Sequence, residues 1–144
     1  MSILKKGILF LCTGNSCRSQ MAEGFARNIL LEDVKIFSTG TDQNEIHPVA
    51  IKVMQEVGID ISEQKSKNLW ENPVDKISIV VTLCGDAAER CPIFPGEVKK
   101  INWILKNPVK TTGNEEEIIN EFRKIRDKIK TYLEKEKWFS NLKR

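Results

Sequence analysis

The residues best suited to chemistry lie in one short stretch near the amino terminus. Cys12 and Arg18 are separated by five residues. All five are small or carry short side chains: Thr13, Gly14, Asn15, Ser16 and Cys17. Backbone N–H groups of such a loop can converge on an anion, and an arginine can bind two oxygens of a tetrahedral oxyanion. The pattern predicts that Cys12 attacks phosphate or a similar oxyanion as a thiolate, although the same spacing also occurs by chance around buried cysteines.

Two predicted elements position this loop. Apolar residues before Cys12 predict a buried strand over residues 7–11. After Arg18, apolar residues recur with helical spacing and predict a helix over residues 19–31. The cysteine therefore lies where a strand ends and the arginine where a helix begins, so the positive end of the helix dipole adds to the anion site.

The rest of the chain predicts alternating strands and helices. Further strands are predicted at residues 34–38, 77–83 and 98–103, and further helices at residues 48–57, 66–72 and 115–137. The buried stripe of the last helix is predicted to be Ile118, Phe122, Ile125, Ile129 and Leu133. Alternation of this kind implies parallel pairing. We therefore predict an α/β three-layer sandwich, a four-stranded parallel sheet flanked by helices, with its ligand site at the carboxyl ends of the strands.

The composition favours a globular protein over a nucleic-acid-binding or membrane protein. The 144 residues suffice for a core, and we expect a single domain over residues 1–144. The net charge of +3 is mild, no basic stripe with interleaved aromatic residues occurs, and no apolar stretch could span a membrane. We expect a cytoplasmic monomer without a signal peptide, in which the four cysteines are catalytic or redox-active rather than structural.

A second pair of cysteines follows the strand predicted at residues 77–83. Cys84 and Cys91 are seven positions apart, which on a regular helix separates their α-carbons by roughly 10 Å, beyond disulfide distance. They could pair only if the segment unwinds, and Gly85 and Pro92 would favour looping out. Two unrelated buried thiols are an equally good interpretation. The spacing does not match common zinc motifs, so we predict no metal there.

Taken together, the chain resembles the thioredoxin-coupled arsenate reductases, which are built on the low-molecular-weight protein tyrosine phosphatase fold. The match extends over nearly the whole chain, and the stretches that carry it are residues 12–24, 47–48, 58–62, 80–88, 91–92 and 122–127. The loop and its helix are shared with the phosphatases of this fold, whereas the Cys84 and Cys91 pair is not. The resemblance therefore implies arsenate as substrate, thioredoxin as reductant and no cofactor.

The resemblance also implies a relay of three thiols. Cys12 would attack arsenate held by the loop amides and Arg18. Cys84 would then attack Cys12, which releases arsenite and leaves a Cys12–Cys84 disulfide. Cys91 would attack Cys84 in turn and give a Cys84–Cys91 disulfide, which thioredoxin would reduce.

Other residues receive supporting roles from the resemblance. Ser19 would donate a hydrogen bond to the Cys12 thiolate, and Asn15 would hold the shape of the loop. Cys17 matches no relay position, and we interpret its side chain as a packing residue. In this fold the general acid is an aspartate directly before a proline. Here Asn107 takes that place, and because an amide cannot give up a proton, phosphatase activity should be poor.

Some members of the family bind potassium near the loop through an asparagine, a glutamate, a serine and an aspartate. Asn15, Glu23 and Ser38 match the first three, whereas Lys67 stands where the aspartate would be. One hypothesis is that the Lys67 ammonium replaces the cation by pairing with Glu23, which predicts an activity that does not respond to potassium. The alternative is that Lys67 points to solvent.

Two other functions remain open at this point. One is a low-molecular-weight protein tyrosine phosphatase, in which Cys84 and Cys91 protect against oxidation. The other is a non-catalytic protein that binds oxyanions or senses redox state, which the loss of the acid at Asn107 would favour. The Cys84 and Cys91 pair favours the reductase over the phosphatase.

Overall fold

The computed structural model describes residues 7–12, 17–30, 33–40, 45–65, 74–83 and 97–142. Its strands are β1 (Gly7–Cys12), β2 (Lys35–Gly40), β3 (Ile79–Thr82) and β4 (Lys99–Asn102). Its helices are α1 (Arg18–Ile29), α2 (Pro48–Gln55), α3 (Glu115–Lys135) and α4 (Lys137–Leu142), with short 3-10 turns at Val74–Lys76 and Pro108–Lys110. None of the helices in these ranges is long and apolar enough to cross a membrane.

The strands form one parallel sheet in the order β2-β1-β3-β4. β1 lies in the interior, where Cys12 pairs with Gly40 of β2 and Leu11 pairs with Thr82 of β3. All the carboxyl ends therefore meet at one edge of the sheet, and Cys12 lies at that edge. The predicted α/β fold with a four-stranded parallel sheet is confirmed.

Apolar side chains cover both faces of the sheet. β1 is buried along its whole length. Its residues Ile8 and Phe10 belong to the main core, which α1, α2 and α3 complete. Leu9 points to the other face and packs with Ile77 and Val80. A parallel sheet is stable when both faces are covered in this way, and the strand that ends at Cys12 is held from both sides.

Close packing at one glycine sets the position of α1. A Cβ atom at Gly24 would lie 2.6 Å from Cγ2 of Ile61 and 3.2 Å from Cε of Met54. Real side-chain carbons do not approach so closely, so glycine allows α1 to lie directly against the segment around Ile61. Because α1 begins at Arg18, this contact also sets where the arginine stands.

An ion pair joins the end of α2 to α3. The Glu56 carboxylate accepts hydrogen bonds from Nη2 of Arg123 at 2.5 Å and from Nη1 of Arg126 at 2.8 Å. Nη1 of Arg126 also donates to the carbonyl oxygen of Val53 at 2.9 Å. The hydrogen bonds from Arg123 and Arg126 lower the pKa of Glu56 to about 2, so Glu56 stays charged over the range in which most proteins are folded.

The start of α2 is capped by the chain's one histidine. His47 precedes Pro48, and its Nδ1 accepts a hydrogen bond from the N–H of Val49 at 3.1 Å. The imidazole packs against the ring of Phe122, with ring centroids 4.9 Å apart. Partial burial lowers the pKa of His47, which favours the neutral form that can accept the bond. His47 is therefore the helix-entry residue that its position before a proline predicts.

The bounds of several elements differ from the prediction. The final helix, predicted over about residues 115–137, begins at Glu115 as predicted but ends at Lys135, because Glu136 is extended (φ −80°, ψ 123°) and separates α3 from α4. The Glu136 carboxylate accepts hydrogen bonds from Nε1 of Trp103 at 3.2 Å and of Trp138 at 3.0 Å, and these contacts stabilise the break. β3 and β4 are shorter than predicted, β2 continues to Gly40, and the helix predicted at residues 66–72 lies outside the described residues.

Candidate active site

Cys12 and Ser19 meet at the carboxyl edge of the sheet. The Sγ atom of Cys12, the last residue of β1, lies 2.9 Å from Oγ of Ser19, in the first turn of α1. Both residues are buried, with 2% of Cys12 and none of Ser19 exposed. The hydroxyl can donate to the sulfur when the sulfur is a thiolate, and a hydrogen bond to a charged group stabilises that charge.

The amino terminus of α1 adds positive potential to this place. The helix begins at Arg18, and its first turn contains no acidic residue. The partial positive charge of its N–H groups is therefore not neutralised by a carboxylate within that turn. The arrangement favours a negative charge next to Cys12.

Arg18 supplies a buried cation at the same point. Only 5% of this residue is exposed, and its Nη1 donates to the carbonyl oxygen of Leu105 at 3.0 Å. Its Nε has no hydrogen-bond partner among the described residues, although it is buried. A buried donor without an acceptor is costly, so the guanidinium is well placed to bind an anion that enters the site.

Cys17 lies in the same core as Cys12, and 2% of each residue is exposed. It is buried in the main core, and burial is the largest cause that raises the pKa of its thiol far above the ordinary value. The neighbouring Cys12 also raises this pKa, while Arg18 lowers it. A protonated, buried thiol is a poor nucleophile, which is consistent with a packing role. The remaining loop positions lie outside the described residues: Thr13, Gly14, Asn15 and Ser16.

Asn107 uses its side chain to hold a turn. Its Oδ1 accepts a hydrogen bond from the N–H of Val109 at 3.1 Å and caps the 3-10 turn that begins at Pro108. The same stretch of chain contains Leu105, whose carbonyl oxygen binds Arg18. Asn107, at the position of the expected general acid, lies two positions after Leu105, the residue that binds Arg18. The side-chain amide of Asn107 therefore has a structural role in the turn.

The carboxylate of Glu23 is already engaged. This residue is 1% exposed, Oγ of Ser38 donates to its Oε1, and Nε of Arg27 lies 2.6 Å from its Oε2. Sequence reasoning missed Arg27, although its spacing four positions after Glu23 is typical of an ion pair on a helix. Asn15 and Lys67 lie outside the described residues. Within the described part of the chain, no group of three His, Cys, Asp or Glu side chains could hold a metal ion.

A pair of glutamines behind the site was also not predicted. Gln20 follows Ser19 and is fully buried, and its Nε2 donates to the carbonyl oxygen of Lys65 at 3.1 Å. Nε2 of Gln64 donates to the backbone oxygen of Gln20 at 3.0 Å and to its Oε1 at 2.8 Å. These bonds attach the first turn of α1 to the segment that ends at Lys65. The signal in the sequence was the polar residue Gln20 on the buried face of the predicted helix, since a buried amide needs hydrogen-bond partners.

The other two predicted catalytic cysteines, Cys84 and Cys91, lie outside the described residues. The chain leading to them is described as far as Leu83, which is fully buried. The carbonyl oxygen of Leu83 accepts a hydrogen bond from the N–H of Leu105 at 3.2 Å. Leu105 therefore contacts both Arg18 and the residue that precedes Cys84 in the sequence.

Comparison with known proteins agrees with this geometry. The model of the low molecular weight phosphotyrosine protein phosphatase family matches residues 7–144. An arsenate reductase of Shouchella clausii (strain KSM-K16) is 46% identical over 131 residues, which cover 91% of this chain and 94% of that protein. A solved arsenate reductase in its oxidized state is 32% identical with a TM-score of 0.77, and the match covers 95% of each chain. A thioredoxin-dependent arsenate reductase of Corynebacterium glutamicum is 28% identical with a TM-score of 0.61, over 94% of this chain and 66% of that one. The chain therefore belongs to the low molecular weight phosphotyrosine protein phosphatase family, in the branch that contains the arsenate reductases.

Proposed function

We propose that this chain reduces arsenate to arsenite. The observation that carries the proposal is the buried guanidinium of Arg18, whose Nε finds no acceptor among the described residues, next to the contact between Cys12 and Ser19. A tetrahedral oxyanion would satisfy the arginine and place its central atom within reach of the sulfur. The relatives named arsenate reductase support arsenate as that oxyanion.

In the first step, the Cys12 thiolate attacks the arsenic atom. A sulfur–arsenic bond forms, the bond from arsenic to one of its hydroxyl groups breaks, and that hydroxyl takes up one proton and leaves as water. Ser19 stabilises the thiolate before the attack, and Arg18 balances the charge on the arsenate oxygens. The amide of Asn107 cannot supply the proton, so the proton comes from Lys106, from solvent or from a protonated arsenate.

In the second step, a Cys84 thiolate attacks the sulfur of Cys12. The sulfur–sulfur bond forms as the sulfur–arsenic bond breaks, and the electron pair of the broken bond stays on arsenic, which leaves as arsenite. A Cys91 thiolate then attacks Cys84 and frees Cys12 as a thiolate. The dithiol of thioredoxin reduces the Cys84–Cys91 disulfide and becomes a disulfide itself. The positions of both cysteines after Leu83 and the thioredoxin-dependent relative support this cycle, which we assign to a cytoplasmic monomer.

We further propose that the activity does not respond to potassium. The buried Glu23 carboxylate has a cation, Arg27, at 2.6 Å and a hydroxyl donor from Ser38. Its charge is balanced within the protein, whether or not Lys67 adds a second ammonium. Equal kcat/KM values in sodium and potassium buffers of the same ionic strength are expected. A clear activation by potassium would contradict the proposal.

The first experiment is arsenate-dependent NADPH oxidation in the presence of thioredoxin and thioredoxin reductase. Turnover is expected for the wild type and should be lost in Cys12→Ser, Cys84→Ser and Cys91→Ser. Cys17→Ala removes the remaining cysteine of the chain and serves as the matched control, which should keep turnover. Loss of activity in the three relay variants but not in the control would distinguish a relay from a general requirement for thiols.

The same variants discriminate the other functions. Hydrolysis of phosphate esters that needs only Cys12, without arsenate reduction, would assign the chain to the phosphatases. No activity in either assay, together with tight oxyanion binding, would leave a binding or sensing protein. Both results would overturn the proposed reductase.

A further inference from the structure

A groove runs between α3 and the stretch of chain that follows β4. Its volume is about 670 Å³. Ile104 and Lys106 line one side, and Lys128, Tyr132 and Lys135 line the other. We call it the α3 groove.

The walls of the α3 groove expose apolar surface. Ile104 is 71% exposed, the highest value for a large apolar side chain among the described residues, and Tyr132 is 38% exposed. The Tyr132 ring stacks on the buried Trp103, with centroids 5.3 Å apart and planes 16° apart, which keeps this wall rigid. An exposed isoleucine beside a rigid aromatic wall is typical of a surface that a partner covers.

The charge of the α3 groove is positive. Among the described residues that line it, three are lysines and one is acidic, Asp127, which is paired with Nε of Arg126 at 2.8 Å. The lysines are Lys106, Lys128 and Lys135. Such a surface is complementary to a protein that presents acidic side chains around an apolar tip, and it would repel a basic one.

The α3 groove is next to two parts of the proposed site, the arginine that follows the Cys12 loop and the residue that precedes Cys84. Leu105, in its wall, accepts a hydrogen bond from Arg18 through its carbonyl oxygen. The N–H of the same residue donates to Leu83, which precedes Cys84 in the sequence. The N–H of Trp103 donates to Thr82 at 2.7 Å in the same ladder. A protein seated in the groove is therefore close to the point where the chain leaves β3 toward Cys84.

We propose that the α3 groove is the docking surface for the dithiol protein that regenerates the enzyme. The inference rests on the proposed function, since a docked reductant needs a disulfide to reduce. The partner is a protein with a reactive dithiol, apolar residues beside it and acidic residues around them. Its dithiol is oxidised to a disulfide as the Cys84–Cys91 disulfide takes up the two electrons and two protons.

The test separates docking from chemistry. Ile104→Asp introduces a negative charge that repels the acidic side chains of the partner, and it removes the apolar contact with the partner. The double variant Lys128→Glu with Lys135→Glu reverses the charge of one wall of the groove. Val57→Asp and Lys130→Glu are the matched controls, because both sites are exposed and neither lines the groove. The KM for thioredoxin should rise about 10-fold or more in the groove variants, the scale expected for losing steering and one well-buried contact, and should stay near the wild-type value in the controls.

A second measurement uses no reductant protein. Reduced enzyme mixed with arsenate should release one equivalent of arsenite at the wild-type rate in all four variants, because the groove does not touch arsenate in this scheme. An unchanged KM for thioredoxin in both groove variants would overturn the inference. Slower arsenite release in the groove variants would also overturn it, since the groove would then act on the site itself or take a small anion. Failure of the wild type to release arsenite would instead overturn the proposed function.

Discussion

Replacing Asn107 with aspartate should create an acid-dependent phosphatase. Oδ1 of Asn107 accepts a hydrogen bond from Val109 at 3.1 Å, and aspartate caps such a turn about as well as asparagine. The substitution therefore keeps the turn, with one carboxyl oxygen on Val109 and the other able to carry a proton. The segment already reaches the site, because the carbonyl oxygen of Leu105 binds Arg18.

The size of the gain follows from the protonated fraction of the new carboxyl group. A general acid accelerates the departure of a leaving group by roughly 10²–10⁴-fold, but only while it is protonated. A carboxyl with an ordinary pKa of about 4 is protonated in roughly one molecule in ten at pH 5 and one in a thousand at pH 7. Multiplying this acceleration by the protonated fraction gives a rise in the rate of phosphate ester hydrolysis of about 10-fold to 10³-fold at pH 5. The rise falls to about 10-fold or less at pH 7.

The assay is hydrolysis of p-nitrophenyl phosphate and phenyl phosphate across this pH range. Phenyl phosphate should gain more, because phenolate is the more basic leaving group and needs the proton more. Asn114→Asp is the matched control, since Asn114 makes the same kind of cap on Glu117 at 2.9 Å at the start of α3. A gain in Asn107→Asp that does not depend on pH, or an equal gain in the control, would refute the reasoning.

Three further predictions concern stability. Glu56→Gln should lose about 1 kcal/mol or less at neutral pH, because its partly exposed pairs are screened by water. Since the folded protein lowers the pKa of Glu56 from 4.5 to about 2, this difference should disappear as urea unfolding is repeated from pH 4.5 toward pH 2. The lowered pKa of His47 means that the unfolded chain binds more protons, so stability should fall as the pH drops below about 6.5. His47→Asn keeps a cap that does not titrate and should flatten that part of the stability profile; an unchanged profile would exclude His47 as its source. Gly24→Ala should cost about 1–3 kcal/mol and lower Tm, because the new methyl group meets Ile61, and a wild-type Tm would contradict the close packing.

The sequence specified the position of Cys12 and Arg18 better than it specified their contacts. An apolar run before Cys12 and a helical stripe after Arg18 were enough to place one at a strand end and the other at a helix start, because both patterns report burial directly. Parallel pairing then followed from the alternation of elements. The match between Cys12 and Gly40 in the sheet register could not be read in advance, since register depends on the packing of both faces.

Apart from the ion pair between Arg27 and Glu23, most contacts that were missed are made by backbone atoms or by residues distant in sequence. No pattern marks the carbonyl oxygen of Leu105 as the acceptor for Arg18, because every residue has such an oxygen. The hydrogen bonds between Gln20 and Gln64 are likewise set by how α1 docks. The break at Glu136 was missed because one of the two indole N–H groups that favour the extended conformation belongs to Trp103, which is distant in sequence, although the other belongs to the nearby Trp138.

The burial of β1 has a consequence for how folding and reactivity are related. β1 pairs on both sides, with β2 and β3, and every one of its residues is buried. The amides of such a strand are expected to exchange with solvent only when the whole molecule unfolds, so Cys12 keeps its place in every partly opened state. Substitutions that weaken packing away from α1 should therefore lower activity by reducing the number of folded molecules, while each folded molecule keeps its full rate.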